Sequence, residues 1–300
     1  MLEISQLAKT YPGGVTALHG ISLRIPRGMF GLLGPNGSGK TTLMRILAGL
    51  LEPTSGSVTL DGVDVVQHPE HIWPRLGYLP QYFGFYPGLT GMDMLKHMLR
   101  LKGVEHERGL HALCVELLTR VNLAHAATRR VKTYSGGMRQ RLGIAQAIAG
   151  EPEVLIVDEP TAGLDPEERA RFYSLLAELA ETRTVLLSTH IVDDVAVLCP
   201  KFAVIRHGRL LTTTTPRDAK DAIAGSMYEG VVGRDALEIL AAEYEVTQAY
   251  LVEGRHRVRV HAPQQRVPAH FESVTPTLED AYMVMTRRDA RDRPLLAGAA

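Results

Sequence analysis

Nine consecutive residues, GPNGSGKTT from Gly34 to Thr42, have the types and spacing to hold a nucleoside triphosphate. They complete the pattern G-x-x-x-x-G-K-[ST], a phosphate-binding loop. Gly34, Gly37 and Gly39 open backbone conformations that a Cβ obstructs. The loop, with Pro35, Asn36 and Ser38 between them, can then turn successive N–H groups onto phosphate oxygens. Lys40 offers a point charge to the outer phosphates and Thr41 a hydroxyl to Mg²⁺. With Thr42 they open a helix (TTLMRILAGLL) whose dipole turns its positive end toward the anion. The bland alternative is a glycine-rich turn that caps a helix. The apolar strand MFGLL, Met29 to Leu33, directly before the loop argues against it.

A second acidic motif narrows the chemistry. In VLIVDE the apolar run reads as a buried central strand, with Asp158 at its end placed to hold Mg²⁺ and Glu159 placed to polarise a water. A buried strand ending in two acids is common by itself. After an intact phosphate loop, the functional reading takes precedence.

The elements that must position these residues are legible as short apolar runs bounded by glycine or proline. SLRIP, MFGLL, SVTL, LGYLP, EVLIVD, TVLLSTH and FAVIRHG read as strands. Helical patterns separate several of them, among them PEERARFYSLLAELAE, so strand–helix–strand units predict an α/β fold with a parallel sheet. Ligands in such sheets sit at the carboxyl ends of strands, where the phosphate loop, Asp158 and His190 all fall. Between about 85 and 148 the strand signal gives way to helical spacing, which predicts a helical insertion. After Pro216 the strands MYEGVV, VTQAYLV and HRVRVHA, with a hairpin turn at Glu253 and Gly254, predict a small α+β domain. The expected division is therefore residues 1–217 and 218–300.

A third motif decides the family. YSGGMRQ, Tyr134 to Gln140, read alone is a serine N-cap with a flexible helix entry. With a phosphate loop upstream and VLIVDEPTAGLD downstream, it closely resembles the signature of ATP-binding-cassette ATPases, across roughly residues 1–217. The resemblance implies a phosphate-loop NTPase fold in which two cassettes stack head to tail, each ATP lying between the phosphate loop of one and the signature of the other. It implies that Ser135 and Gly137 meet the γ-phosphate held by the partner, that Gly136 belongs with them to the nucleotide-binding residues, and that Asp165 in GLD lies in a loop crossing the dimer interface. It likewise implies that Tyr11 stacks on adenine, that Gln81 in YLPQ meets metal or water and relays nucleotide state, and that His190 in LLSTH contacts the γ-phosphate and orients water. The residues expected to carry catalysis are thus Glu159, His190 and Lys40, and those for the metal Thr41, Gln81 and Asp158. Tyr134 departs from the family's usual leucine, which predicts altered packing beneath the loop.

Composition limits the remaining classes. Lysine plus arginine and aspartate plus glutamate both number 33, so no basic field gathers nucleic acid, and the arginines of TRRDARDR alternate with aspartates. That tail reads as a solvated helix end. Runs such as VLIV fall far short of the roughly twenty residues of a membrane-spanning helix, and MLEISQLAKTY lacks a signal-peptide core. Cys114 and Cys199 are the only cysteines and suit a reducing cytosol.

The resemblance implies the motor subunit of a membrane transporter, peripheral on the cytoplasmic face of the cell membrane, with separately encoded permease subunits. The second cassette is expected to be another copy of this chain, a different cassette chain being the alternative. The rival function is a soluble cassette ATPase acting on nucleic acid or the ribosome. It is disfavoured because the chain carries neither a long coiled-coil insertion nor a second cassette behind a charged linker. SVTPTLEDAYMVMT, Ser273 to Thr286, resembles the end of bacterial exporter cassettes of the drug, lipid and polysaccharide type.

Overall fold

The computed structural model describes residues 1–82, 84–161, 164–233, 236–263, 267–268 and 270–291. Ala162 and Gly163 of VLIVDEPTAGLD lie outside the described residues, as does the end of the TRRDARDR tail together with the rest of 292–300. The chain forms two compact units, Met1–His190 with Val204–Leu210, and Ile191–Ala203 with Leu211–Ala300.

The first unit begins with β1 (Leu2–Thr10), β2 (Thr16–Ile25) and β3 (Gly28–Leu33), followed by α1 (Lys40–Leu47), β4 (Ser55–Leu60), β5 (Val63–Asp64) and β6 (Leu76–Leu79). Three helices follow, α2 (Gly91–Leu101), α3 (Gly109–Arg120) and α4 (Gly136–Ile148), filling the segment expected as a helical insertion. The chain returns through β7 (Val154–Asp158), α5 (Pro166–Ala180) and β8 (Thr184–Thr189).

Strands β6, β7, β8 and β3 lie side by side and parallel, pairing Leu76 with Val154, Val154 with Thr184, and Gly28 with Thr184. Every residue of β7 and β8 is buried, which explains their unbroken apolar runs: both faces of the sheet are covered. Each fully buried valine, leucine or isoleucine here contributes about 1.5–3 kcal/mol of hydrophobic stabilisation.

SLRIP and SVTL are strands, but they do not join that sheet. They belong to a separate antiparallel sheet in the order β2, β1, β4, β5. The reason is visible in β2, whose second half alternates buried and exposed residues, the pattern of a sheet covered on one face.

The second unit takes in α6 (Val192–Leu198), and β9 (Lys201–Arg206) and β10 (Arg209–Thr214) contribute to both units. It continues with α7 (Pro216–Asp221), β11 (Met227–Val232), α8 (Ala236–Glu243), β12 (Glu245–Val252), β13 (Arg255–His261), β14 (Glu272–Ser273) and α9 (Leu278–Arg291). Its sheet runs β12, β13, β11, β14 with antiparallel pairings, over a core of Leu240, Val246, Val258 and Val260. Glu253 and Gly254 turn the hairpin with φ of 50° and 79°, the left-handed pair that matches strand twist.

The segment SVTPTLEDAYMVMT owes its pattern to a helix start. Asp280 N–H donates to Thr277 Oγ1 at 3.1 Å while Thr277 N–H donates to Asp280 Oδ2 at 2.9 Å, a reciprocal cap on α9. Asp280, fully buried, also accepts from Thr247 Oγ1 and pairs with Arg259 at 2.9 Å. These contacts tie α9 to β12 and β13.

Candidate functional site

The phosphate loop bridges β3 and α1 at the carboxyl edge of the parallel sheet. Gly39 enters α1 with φ of 102°, and a Cβ there would press on the Ala17 carbonyl and the Leu18 side chain. Gly34 is as tightly enclosed, its missing Cβ leaving room for the Ile205 carbonyl and the Ser38 hydroxyl. Gly37, with φ of 77°, faces open space, so it serves the turn and not the packing.

Lys40 is 4% exposed and its ammonium is fully engaged. Nζ donates to the Gly34 carbonyl at 2.7 Å and to that of Pro35 at 3.2 Å, and it lies 3.1 Å from Glu159 Oε1. The other Glu159 oxygen meets His190 Nδ1 at 2.6 Å, so one buried carboxylate joins the charge of the phosphate loop to the imidazole at the end of β8.

Glu159 reaches this position through a turn that a non-glycine residue seldom takes, with φ of 50°. Its N–H donates to the Ser188 carbonyl at 2.8 Å, which anchors the turn to the neighbouring strand. Such a backbone costs on the order of 1–3 kcal/mol and persists where the surroundings impose it.

Asp158 ends β7 fully buried, and neither of its carboxylate oxygens has a hydrogen-bond donor at bonding geometry among the described residues. Burial pushes its carboxyl above the usual carboxylate range, while the nearby Ser188 and Thr41 hydroxyls act in the opposite direction. Two buried, unengaged carboxylate oxygens beside the Thr41 hydroxyl form an all-oxygen donor set that suits a hard cation such as Mg²⁺.

A cleft of about 370 Å³ gathers Asn36, Gly37, Gly39, Lys40, Thr41, Thr42, Gln81 and Glu159, together with Ala17 and Tyr82. Tyr11, just after β1, reaches its edge: the hydroxyl lies 3.2 Å from Thr42 Oγ1. Gln81, Tyr11, Lys40, Glu159 and His190 thus converge from five separate stretches of sequence. Tyr82 also lines a second, larger groove of about 750 Å³ with Pro80, Trp73, Met94, Met98 and Leu101.

Ser135, Gly136, Gly137 and Asp165 do not line that cleft. Ser135 is the N-cap of α4, accepting from Met138 N–H at 3.1 Å, and Asp165 caps α5, accepting from Glu168 N–H at 2.8 Å. Gly137 has a local reason to be glycine, because the Glu168 carboxylate fills the space of its Cβ. Tyr134 is buried beneath the helix start, its hydroxyl donating to the Ala126 carbonyl at 2.8 Å.

Ser188 and Glu168 are absent from the expected residues, since their importance lies in what they touch. A serine inside an apolar strand and a glutamate in the first turn of a helix carry no motif.

Comparison with known proteins bears on the same residues. Residues 18–162 match the family described as ABC transporter. The chain is 34% identical to the daunorubicin/doxorubicin resistance ATP-binding protein DrrA of Streptomyces peucetius, covering 97% of this chain and 94% of that protein. It is 33% identical to the Nod factor export ATP-binding protein I of Cupriavidus pinatubonensis, covering 97% and 92%. Among solved structures, the dimeric post-hydrolysis state of the ATP-binding cassette MJ0796, bound to ADP and Pi, aligns with a TM-score of 0.66 at 26% identity. That alignment covers 72% of this chain and 98% of the cassette.

Proposed function

The chain belongs to the ABC transporter ATP-binding proteins, and on that footing we propose that it is the ATP-hydrolysing motor of an exporter whose membrane-spanning subunits are separate chains. The observation that carries the hydrolytic reading is the Glu159 carboxylate, held between Lys40 and His190 at the mouth of the phosphate loop. Export is supported by similarity along nearly the whole chain to proteins named for drug resistance and Nod factor export.

In this reading the loop amides and Lys40 bind the phosphates of ATP. The ammonium then exchanges its carbonyl and Glu159 partners for phosphate oxygens. Glu159, released from Lys40, orients a water and accepts its proton, while His190 steadies the carboxylate and contacts the γ-phosphate. Asp158, Thr41 and Gln81 would hold Mg²⁺, which when bound neutralises charge on the phosphate oxygens. Tyr11 stacks on the base. Ser135, Gly136 and Gly137 of a second subunit complete the pocket: a helix N-terminus with unhindered amides is an anion site without a basic side chain. Asp165 stands at the interface the two subunits share.

The permease is assigned to the groove of Trp73, Tyr82, Met94, Met98 and Leu101. Tyr82 lines both this groove and the nucleotide cleft, directly after Gln81, so a change at the phosphates has a short route to the docked subunit. In this reading the docked protein is peripheral, at the cytoplasmic face of the membrane.

Subunit mixing tests the composite site. Lys40→Ala and Ser135→Arg proteins are each expected to be nearly inactive. In their heterodimer one site carries both lesions and the other neither, as two-fold symmetry requires. With random pairing and independent sites, the mixture should recover roughly a quarter of wild-type hydrolysis. Normal hydrolysis by dimeric Ser135→Arg protein alone would reduce YSGGMRQ to a helix cap.

A further inference from the structure

Outside the nucleotide cleft, one short turn brings two imidazoles and a carboxylate together. His68 Nδ1 lies 3.3 Å from Glu70 Oε1, His71 Nε2 lies 4.0 Å from the same oxygen, and donor atoms of all three residues fall within 4.8 Å of one another. Around a dication with bonds of about 2.0–2.2 Å, tetrahedral donors stand roughly 3.3–3.6 Å apart, so small side-chain rotations close this set.

The backbone beneath these side chains is already fixed. Pro69–His71 form a single tight turn, in which His71 N–H donates to the His68 carbonyl and Ile72 N–H to that of Pro69, both at 3.1 Å. Ile72 is fully buried and anchors the turn. The missing Cβ of Gly49 leaves room for the Trp73 ring and Pro69. Little backbone entropy is therefore left to lose when three ligands converge on one ion.

We propose that His68, Glu70 and His71 form a binding site for a divalent transition metal of the zinc class, with a remaining coordination position open to water. Two imidazoles select against Mg²⁺ and Ca²⁺, which take oxygen ligands, and favour Zn²⁺, Ni²⁺ or Cu²⁺. The site is thus chemically separate from the all-oxygen set at Asp158. Glu70 and Trp73 both line the larger groove, so an ion here sits at its rim; its relevance to the permease rests on the function proposed above, whereas binding of the ion does not.

Trp73, the only tryptophan in the chain, supplies the reporter, standing two residues beyond His71. Tag-free, chelator-stripped protein is titrated with Cu²⁺ or Ni²⁺ while tryptophan fluorescence is followed, then back-titrated with Zn²⁺; calorimetry with Zn²⁺ gives the stoichiometry. The expected result is saturable quenching at one equivalent, relieved by Zn²⁺. Doubly substituted His68→Asn, His71→Asn protein should bind at least about tenfold more weakly, since even partners one step removed from a metal are worth about ten- to a hundredfold. Glu70→Gln should weaken binding in the same direction. All three side chains are exposed, so metal-free ATP hydrolysis and melting temperature are expected to match wild type. Equal affinity in wild-type and doubly substituted protein, or no one-equivalent binding in wild type, overturns the site. Absence of ATP hydrolysis in wild type would instead overturn the function proposed above and leave the metal titration intact.

Discussion

Gly91 and Tyr134 share one space. A Cβ on Gly91, the first residue of α2, would run into the Tyr134 hydroxyl, which is held there by the Ala126 carbonyl. The residue that departs from the family's usual leucine in the signature is thus accommodated by a glycine far away in sequence. Gly91→Ala is expected to destabilise the protein by about 1–3 kcal/mol through overpacking. Tyr134→Leu vacates the space, so the double variant should be less destabilised than the two singles added, by at least about 1 kcal/mol. Urea unfolding of the four proteins measures this coupling, and strict additivity would show that the two residues do not compete.

Glu159→Gln removes the charge that both Lys40 and His190 engage. Turnover is expected to fall by about 10²- to 10⁴-fold, the usual worth of a positioned general base, while ATP binding persists. ATP should then hold the protein as a dimer on size-exclusion chromatography. Near-normal turnover would remove Glu159 from the catalytic role.

The two thiols report unfolding of the two units separately. Burial pushes Cys114 in α3 up to about 11 and Cys199, just after α6, up to about 12, from an ordinary value of 9. Both are enclosed, so native protein at neutral pH should react slowly with thiol reagents and denatured protein at once. The folded state keeps these protons where the unfolded chain releases them. Stability should therefore decline as pH rises above about 9. Labelling rates followed by peptide mass spectrometry check each thiol.

Asp280 caps α9 and pairs with Arg259 in the interior of the second unit. Asp280→Ala removes the α9 cap and the contact to Arg259, which keeps Glu229 at 3.6 Å and the Thr275 carbonyl at 2.7 Å, so a loss of about 1–3 kcal/mol is expected. Limited proteolysis should show cleavage within residues 211–291 before any in residues 1–190. Resistance equal to wild type would mean that the apolar packing of α9 suffices.

Much of the site was legible because its chemistry is local. A phosphate loop is a continuous stretch whose glycines, lysine and threonine must follow one another, and Asp158 and Glu159 end an unbroken apolar strand. His190 was legible for the same reason, as a histidine closing TVLLST. The alternation in β1 and β2 was present too, but it marks a half-covered strand without naming the sheet it joins. Hence SLRIP and SVTL were legible as strands, while their place in an antiparallel sheet was not.

By itself the sequence determined which groups this protein has for handling a triphosphate and the order in which strands and helices present them, since periodicity and spacing act within a few residues. Only the tertiary structure decided who touches whom: that Glu159 lies between Lys40 and His190, that Tyr11 meets Thr42, that Glu168 fills the space beside Gly137 and Gly91 yields to Tyr134. Such contacts join residues distant along the chain through the close packing of elements, where a single methyl group decides what fits.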